Sequence, residues 1–226
     1  MSGAGCGEEF RRSEIDAAGF VLAGGQSSRM GRDKALVEFA GRPLVAHALS
    51  ILQQAGLAAS IAGAQSDLAA FAPVVSDSEA GRGPLSGVCA ALASTVARYS
   101  VFLSVDLPLL PPSLIVYLLH DARITGNAVT IASVAGFDQT FPAVIDRAVL
   151  SDLQTALEVG NGGCFAAFQD AAASHGRAIS SVAVELLAQS AQVTHPQGLA
   201  PAHWFLNINA AEDLKRAEKL YARRIA

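Results

Sequence analysis

Ala18-Gly19-Phe20-Val21-Leu22-Ala23, followed by Gly24-Gly25-Gln26-Ser27-Ser28-Arg29-Met30-Gly31-Arg32-Asp33-Lys34, is the stretch that decides the fold. Its first part is a short apolar run closed by two glycines, the pattern of a strand buried on both faces of a sheet. The second part packs three glycines, two hydroxyls and three cations directly behind that strand. Glycines let backbone N–H groups close around phosphate oxygens, and a concave row of such groups binds an anion without side-chain charge. Arg29 and Lys34 can then neutralise a polyphosphate. Taken alone, the loop also reads as a surface turn with solvated charges; its place after a buried strand favours the phosphate reading. It is not a Walker A loop, because Lys34 is followed by Ala35, and it is not GxGxxG.

Outward from this loop, strand and helix patterns alternate. Pro43 to Ala55 puts Leu44, Ala48, Ile51, Leu52 and Ala55 on one helical face, with proline in the first turn and Gly56 past the end. Short strands are predicted over Ala58 to Ala62 and Ala72 to Ser76, and a helix over Pro84 to Val96. Tyr99 to Val105 is the clearest strand, stopped by Asp106-Leu107-Pro108 because proline cannot donate to a continuing ladder. Helices are expected over Pro112 to Leu119, Ala148 to Leu157 and Gly163 to Ala172, with strands near Ala128 to Ala132 and Phe141 to Ile145. Trp204 to Ile208 reads as a last strand and Ala210 to Arg224 as a last helix. Alternation of this kind implies an α/β domain whose mostly parallel sheet carries helices on both faces. Ligands bind such folds beyond the carboxyl ends of the strands, where Gly24 and Asp106 both fall.

Composition limits the function classes. About half of the 226 residues are apolar and 16% are charged, which suits a compact fold with a large core. A formal charge of -4 gives no basic excess for a phosphate backbone, so nucleic acid is not an expected partner. The stretch Tyr99 to Leu119 is broken by Asp106 and three prolines, so no membrane span is expected. Residues 1–17 lack an apolar periodicity and read as a flexible tail, leaving residues 18–226 as one domain. Cys6, Cys89 and Cys164 form no CxxC pair, and their odd number suits the cytoplasm.

Asp106 has two readings. An aspartate before a proline-containing turn accepts local backbone hydrogen bonds. A strand-end carboxylate facing a phosphate loop is also the hard oxygen ligand that Mg²⁺ needs. The second fits the loop better, which makes Asp106 the candidate metal ligand. No spacing of histidines or cysteines supports a transition-metal site, and no GxSxG elbow supports a serine hydrolase.

Leu22-Ala23-Gly24-Gly25 followed by Ser-x-Arg-Met-Gly-x-Asp-Lys, ending at Lys34, resembles the signature loop of the molybdenum cofactor guanylyltransferases, a branch of the Rossmann-like nucleotidyltransferases. The likeness continues in Gly41-Arg42-Pro43-Leu44, the family's turn into its first helix. It extends through Asp77, which looks like the family's nucleotide-contacting aspartate, and Gly83-Pro84-Leu85-Ser86-Gly87, like its Gly-Pro-Leu segment. Asp106-Leu107-Pro108 is similar to its metal-binding aspartate. Asn207-Ile208-Asn209 with Glu212-Asp213-Leu214 is similar to its closing Asn-x-Asn-x-x-Glu-Asp-Leu. Two places depart from the pattern: Ala62-Gly63-Ala64-Gln65 lacks an asparagine many members carry, and Phe141-Pro142-Ala143 matches loosely.

The resemblance implies transfer of GMP from GTP to molybdopterin or its molybdenum form, with release of pyrophosphate and Mg²⁺ as cofactor. Arg29, Lys34 and Asp106 are then the expected catalytic residues. Leu22, Ala23, Gly24, Gly25, Lys34, Asp77, Gly83, Pro84 and Asp106 are expected around the nucleotide. It also allows contact with other proteins of cofactor biosynthesis. Within the class, the rivals are a cytidylyltransferase for the same cofactor and a sugar-phosphate nucleotidyltransferase. Gly25 and the Asp33-Lys34 pair favour the guanylyl branch. Outside the class, the rival is a nucleotide-binding module that has lost its chemistry. Asp77 equally suits a turn cap in Ser76-Asp77-Ser78. Asn209, three residues before Glu212, is expected as the N-cap of the last helix with Glu212 as capping-box partner rather than as a ligand contact. Asn207 stays open.

Overall fold

The computed structural model describes residues 16–23, 33–63, 66–77, 82–160 and 163–222. The glycine-loop residues Gly24, Gly25 and Arg29, and most of the expected tail, lie outside these.

The opening apolar run is strand β1 (Ala17–Leu22). Successive strand side chains face opposite ways, so its residues divide between two cores. Val21 joins a cluster with helices α1 (Leu44–Gln54) and α3 (Pro112–Thr125), while Phe20 and Leu22 join one with α2 (Pro84–Ser94) and α5 (Cys164–Ser174). A strand apolar on both faces therefore forces a three-layer arrangement, sheet in the middle and helices on either side. Gly19 suits this packing: a Cβ there would lie 3.3 Å from both Leu52 Cδ1 and Leu57 Cβ, so a larger residue would push α1 and the chain after it away from β1 by a few tenths of an ångström.

The remaining main strands are β4 (Ala59–Ala62), β5 (Val74–Val75), β6 (Tyr99–Ser104), β7 (Val129–Val134), β8 (Phe137–Asp146) and β9 (Ile179–Ala183). They form a seven-stranded sheet in the order β5-β4-β1-β6-β8-β7-β9. Strand β8 alone runs antiparallel, to both β6 and β7; the pairs β1–β4, β1–β6, β4–β5 and β7–β9 are parallel. A small antiparallel pair, β2 (Glu38–Phe39) and β3 (Arg42–Pro43), precedes α1. Helix α4 (Leu150–Val159) packs on α2 and α5, and α6 (Val184–Gln189), α7 (Pro201–Trp204) and α8 (Ala211–Ala222) complete the other face. No helix among the described residues is long and apolar enough to cross a membrane.

Two segments differ from the sequence reading. Trp204 to Ile208 is not a strand: α7 ends at Trp204 and residues 205–209 are irregular. The apolar run is buried by packing instead of by a ladder. Trp204 is fully buried with its indole N–H donated to Leu199 O (2.8 Å), and Ile208 N donates to Asp106 O (3.0 Å), tying the segment to the end of β6. The pair β9 and α6 was not foreseen, because Ser180 and Ser181 interrupt the apolar pattern. The structure satisfies both hydroxyls, Ser180 on Asp121 (2.8 Å) and Ser181 on Asp138. The loosely matching Phe141-Pro142 lies where the β7–β8 register shifts, between Ile131↔Ala143 and Ala132↔Gln139. A proline cannot donate to the ladder, and a bulge is where a strand tolerates one.

Candidate active site

In chain order β1 is followed by β4 on one side and, later, by β6 on the other. The carboxyl ends of β1 and β6 therefore flank the point where the sheet's winding reverses, the usual ligand crevice of such folds. Val105 N donates to Leu22 O (3.2 Å) and Ala23 N to Ala62 O (3.1 Å), which carries both strand ends one residue into the crevice. Asp106 follows two residues after β6, at that same end of the sheet.

Lys34 reaches Asp106 from a 3₁₀ turn, Lys34–Leu36. Asp33 caps this turn, its Oδ1 accepting from Ala35 N (3.0 Å), and Ala35 anchors it in the core. From there Lys34 Nζ donates to Asp106 Oδ2 (2.6 Å) and to Asn209 Oδ1 (2.5 Å). The Lys34 and Asp106 side chains are 21% and 15% exposed, so the pair faces solvent enough for a ligand to reach it. The other carboxylate oxygen, Oδ1, accepts from Ser104 Oγ (2.6 Å). With its amide nitrogen turned toward the carboxylate, the orientation that satisfies both groups, Asn207 donates to Oδ1 (2.7 Å) and Oδ2 (2.8 Å).

A second group forms where α2 begins. Gly83 has φ +79°, a conformation that favours glycine, and it delivers Pro84 into the first helical turn. That turn carries Ser86, whose hydroxyl donates to Asp77 Oδ1 just beyond β5. A Cβ on Gly87 would lie 3.5 Å from Leu22 Cδ2, so the start of α2 sits against the end of β1. The start of α2, with Asp77 held by Ser86, thus lies against Leu22 at the end of β1.

The structure corrects the reading of Asn209. Its side chain is turned to Lys34 and does not cap the last helix. The cap comes from Asp213, whose Oδ2 accepts from Asn209 N (3.0 Å) and Ala210 N (2.9 Å), leaving Glu212 without the expected role. Ser104 was missed, and Ser86 was read only as part of the Gly-Pro-Leu segment, not as a site residue. The signal available for Ser104 was its place at the end of the strand, two residues before Asp106, where the turn that follows brings the two side chains together.

Among the described residues no three His, Cys, Asp or Glu side chains converge as a metal cage. What remains is one hard carboxylate beside a cation. Such a carboxylate could hold a divalent ion jointly with substrate phosphates, because Mg²⁺ keeps its waters and binds through one or two carboxylates plus phosphate oxygens. The residues present therefore fit such an ion.

A mostly parallel α/β sheet with a lysine and a carboxylate paired at its switch point fits the class of Rossmann-like nucleotidyltransferases. Comparison with known proteins gives the particular branch. Residues 19–224 match the sequence model of the MobA-like NTP transferase domain, and the chain belongs to that family. A molybdenum cofactor guanylyltransferase of Pseudomonas putida is 38% identical over 145 residues, covering 62% of this chain and 75% of that protein. Among solved structures, molybdopterin-guanine dinucleotide biosynthesis protein A of Archaeoglobus fulgidus superposes with a TM-score of 0.72 at 21% identity, covering 91% of this chain and 99% of that one. A 2-C-methyl-D-erythritol 4-phosphate cytidylyltransferase of Thermus thermophilus shares the fold with a TM-score of 0.65 at 16% identity, over 92% and 100% of the two chains.

Proposed function

We propose that this enzyme transfers GMP from GTP to the terminal phosphate of molybdopterin or its molybdenum form, within the domain formed by residues 18–226. An oxygen of the acceptor phosphate attacks the α-phosphorus, the bond from that phosphorus to the β-bridging oxygen breaks, and pyrophosphate leaves with the electron pair. No protein nucleophile is needed, so catalysis is positioning and charge neutralisation. The observation that carries the reading is the Lys34–Asp106 contact of 2.6 Å at the switch point, in a family whose curated relatives bear the guanylyltransferase name.

Asp106 would hold Mg²⁺, and the bound ion supplies Lewis acidity at the α-phosphate. Lys34 and Arg29 offset the charge that grows on the leaving pyrophosphate. Backbone amides near Gly24 and Gly25 hold phosphate oxygens, and Leu22, Ala23, Gly83, Pro84 and Asp77 surround the nucleoside. Asn207 and Asn209, paired with Asp106 and Lys34, keep those two side chains in register between substrates. The same reading puts the protein in the cytoplasm, the reducing compartment its odd cysteine count suits.

The test is the melting temperature with GTP, CTP, ATP, UTP or dTTP and Mg²⁺, since a ligand of the folded state raises apparent stability. GTP is expected to give the largest shift, and pyrophosphate release with molybdopterin is expected for GTP alone. An equal or larger response to CTP moves the enzyme to the cytidylyl branch. Binding with no pyrophosphate release from any nucleotide leaves a binding module.

A further inference from the structure

We propose that Ser104 is a positioning residue, whose hydroxyl locks the Asp106 carboxylate in the orientation that receives a divalent cation. The inference rests on the reading of Asp106 as the metal ligand and adds a residue to it.

Asp106 is held by three side-chain donors that differ in kind. Lys34 Nζ sits on Oδ2 (2.6 Å), Ser104 Oγ on Oδ1 (2.6 Å), and the Asn207 amide between both oxygens. An arriving divalent cation and an ammonium group repel, so they cannot share Oδ2 on equal terms. Lys34 can leave. Its four-carbon stem is flexible, and Asn209 Oδ1 already takes one of its protons.

Ser104 cannot leave in the same way. Its hydroxyl stands on a one-carbon stem, and its backbone is fixed in β6, where it pairs in register with Leu22 of β1. Val105, the next residue, is hydrogen-bonded to that same Leu22. The contact of 2.6 Å lies in the range of a charge-assisted O–H···O⁻ bond, about twice as strong as a neutral one. It occupies Oδ1 and stops the carboxylate turning about its χ2 torsion, which is otherwise soft. When Lys34 swings away, Oδ2 keeps only its share of the Asn207 amide and is the oxygen free to take a cation. Without the hydroxyl, the ordering of the carboxylate falls on the metal-binding step, and the cation binds more weakly.

Groups that orient a metal ligand typically contribute about 10- to 100-fold in metal affinity. With GTP present and the acceptor omitted, no turnover occurs, and the rise in melting temperature can be followed against MnCl₂ concentration. Ser104→Ala is expected to need about tenfold more Mn²⁺ for half of that rise, with little change in melting temperature when metal and nucleotide are absent. Ser104→Thr keeps the hydroxyl and is expected to restore the wild-type titration. Ser104→Val, isosteric with threonine, is expected to titrate like alanine, and the Thr/Val pair stands by itself if the alanine variant folds poorly. Pyrophosphate release at saturating Mn²⁺ is expected to fall far less than the metal requirement rises.

Asp106→Asn separates the two levels of the argument. If it titrates with Mn²⁺ like the wild type, Asp106 is not the metal ligand and the role of Ser104 falls with it. If Asp106→Asn loses the metal response while Ser104→Ala and Ser104→Val keep the wild-type curve, the metal reading stands and the inference about Ser104 is overturned. A shift in Ser104→Ala that Ser104→Thr does not reverse assigns the effect to packing and overturns it equally.

Discussion

Lys34 Nζ and Asp106 Oδ2, 72 residues apart in sequence, lie 2.6 Å apart across the mouth of the crevice between β1 and β6. On the proposed function each is the group the other would release before a metal–nucleotide complex enters, the lysine to meet phosphate and the carboxylate a cation. Partly exposed ion pairs contribute about 1 kcal/mol or less to stability, so the contact is cheap to open. Lys34→Ala is accordingly expected to melt within a few degrees of the wild type. Removal of a preorganised charge from the transition state costs about 3 kcal/mol, or roughly a hundredfold in turnover. Pyrophosphate release at saturating GTP and acceptor measures it, and wild-type turnover would reduce Lys34 to a surface cation.

Asp77 and Ser86 give a prediction about binding. The Ser86 hydroxyl donates to Asp77 and holds it against the start of α2. Asp77→Ala is expected to weaken GTP binding, read by calorimetry as a raised Kd, with a smaller effect on the rate once nucleotide saturates. Ser86→Ala is expected to move Kd in the same direction by less, because the carboxylate remains but is no longer held. A Kd unchanged in both variants would make Asp77 only the cap of its turn.

The strands and helices that place the site were legible because their apolar patterns are uninterrupted. Ala18 to Ala23 carries no polar side chain, Tyr99 to Val105 carries only the hydroxyls of Tyr99, Ser100 and Ser104 among bulky apolar residues, and both became central strands. β9 was hidden because Ser180 and Ser181 break the pattern, and only distant partners, Asp121 and Asp138, make them acceptable in a strand. Trp204 to Ile208 misled for the opposite reason: the run is apolar because it is buried, while its backbone bonds to Asp106 instead of extending a sheet. At the site, Lys34 and Asp106 stood out through their motifs. The turning of Asn209 toward Lys34, the cap by Asp213 and the hydroxyl of Ser104 on Asp106 depend on which segments meet in space, and no local pattern encodes that.

Asp146 gives a pH-dependent stability. It ends β8 at 4% exposure, caps the turn behind it through Ala148 N (3.0 Å), and binds Arg177 Nη2 (2.7 Å) and Arg98 Nε (3.5 Å). Burial by itself would raise its pKa, but the Ala148 N–H, the Arg177 hydrogen bond and the charges of Arg177 and Arg98 outweigh that and hold it below the ordinary 3.8. A carboxyl depressed on folding stabilises the native state above its unfolded pKa, and the contribution is lost as pH falls through the folded value. Urea unfolding is therefore expected to show Asp146→Asn destabilised at neutral pH, with the gap to the wild type narrowing as pH falls below the unfolded carboxylate value toward the lower folded one. A constant gap at every pH would assign the loss to packing.

Cys164 opens α5 inside the second core cluster, where burial pushes its thiol up to about 12. The thiolate is the reactive form. Iodoacetamide at about pH 8 is expected to leave Cys164 unmodified in the folded protein and to label it fully in denaturant, as read by peptide mass spectrometry. Rapid labelling of the native protein would mean that α5 opens locally far more often than its buried contacts suggest.

Asp106→Asn tests the pairing from its other side, because it should move binding and turnover in opposite directions. The substitution keeps the side chain's size and its capacity to accept from Ser104, and removes one negative charge from a crevice that is to receive a triphosphate. In the absence of metal that charge opposes GTP, by about 1 kcal/mol for unit charges about 4 Å apart even at the dielectric of water. Lys34, released from its partner, is also free to meet phosphate. Metal-free GTP, measured in EDTA, is therefore expected to bind Asp106→Asn about fivefold more tightly than the wild type, the factor that 1 kcal/mol corresponds to. With Mg²⁺ present, the ion loses its protein anchor beside the α-phosphate, and pyrophosphate release is expected to collapse at every metal concentration. Circular dichroism should show the fold retained. Were Asp106 only the residue that shapes the turn before Pro108, both titrations would overlay those of the wild type, and a folded variant with unchanged Mg²⁺ dependence would falsify the assignment of Asp106 to the metal.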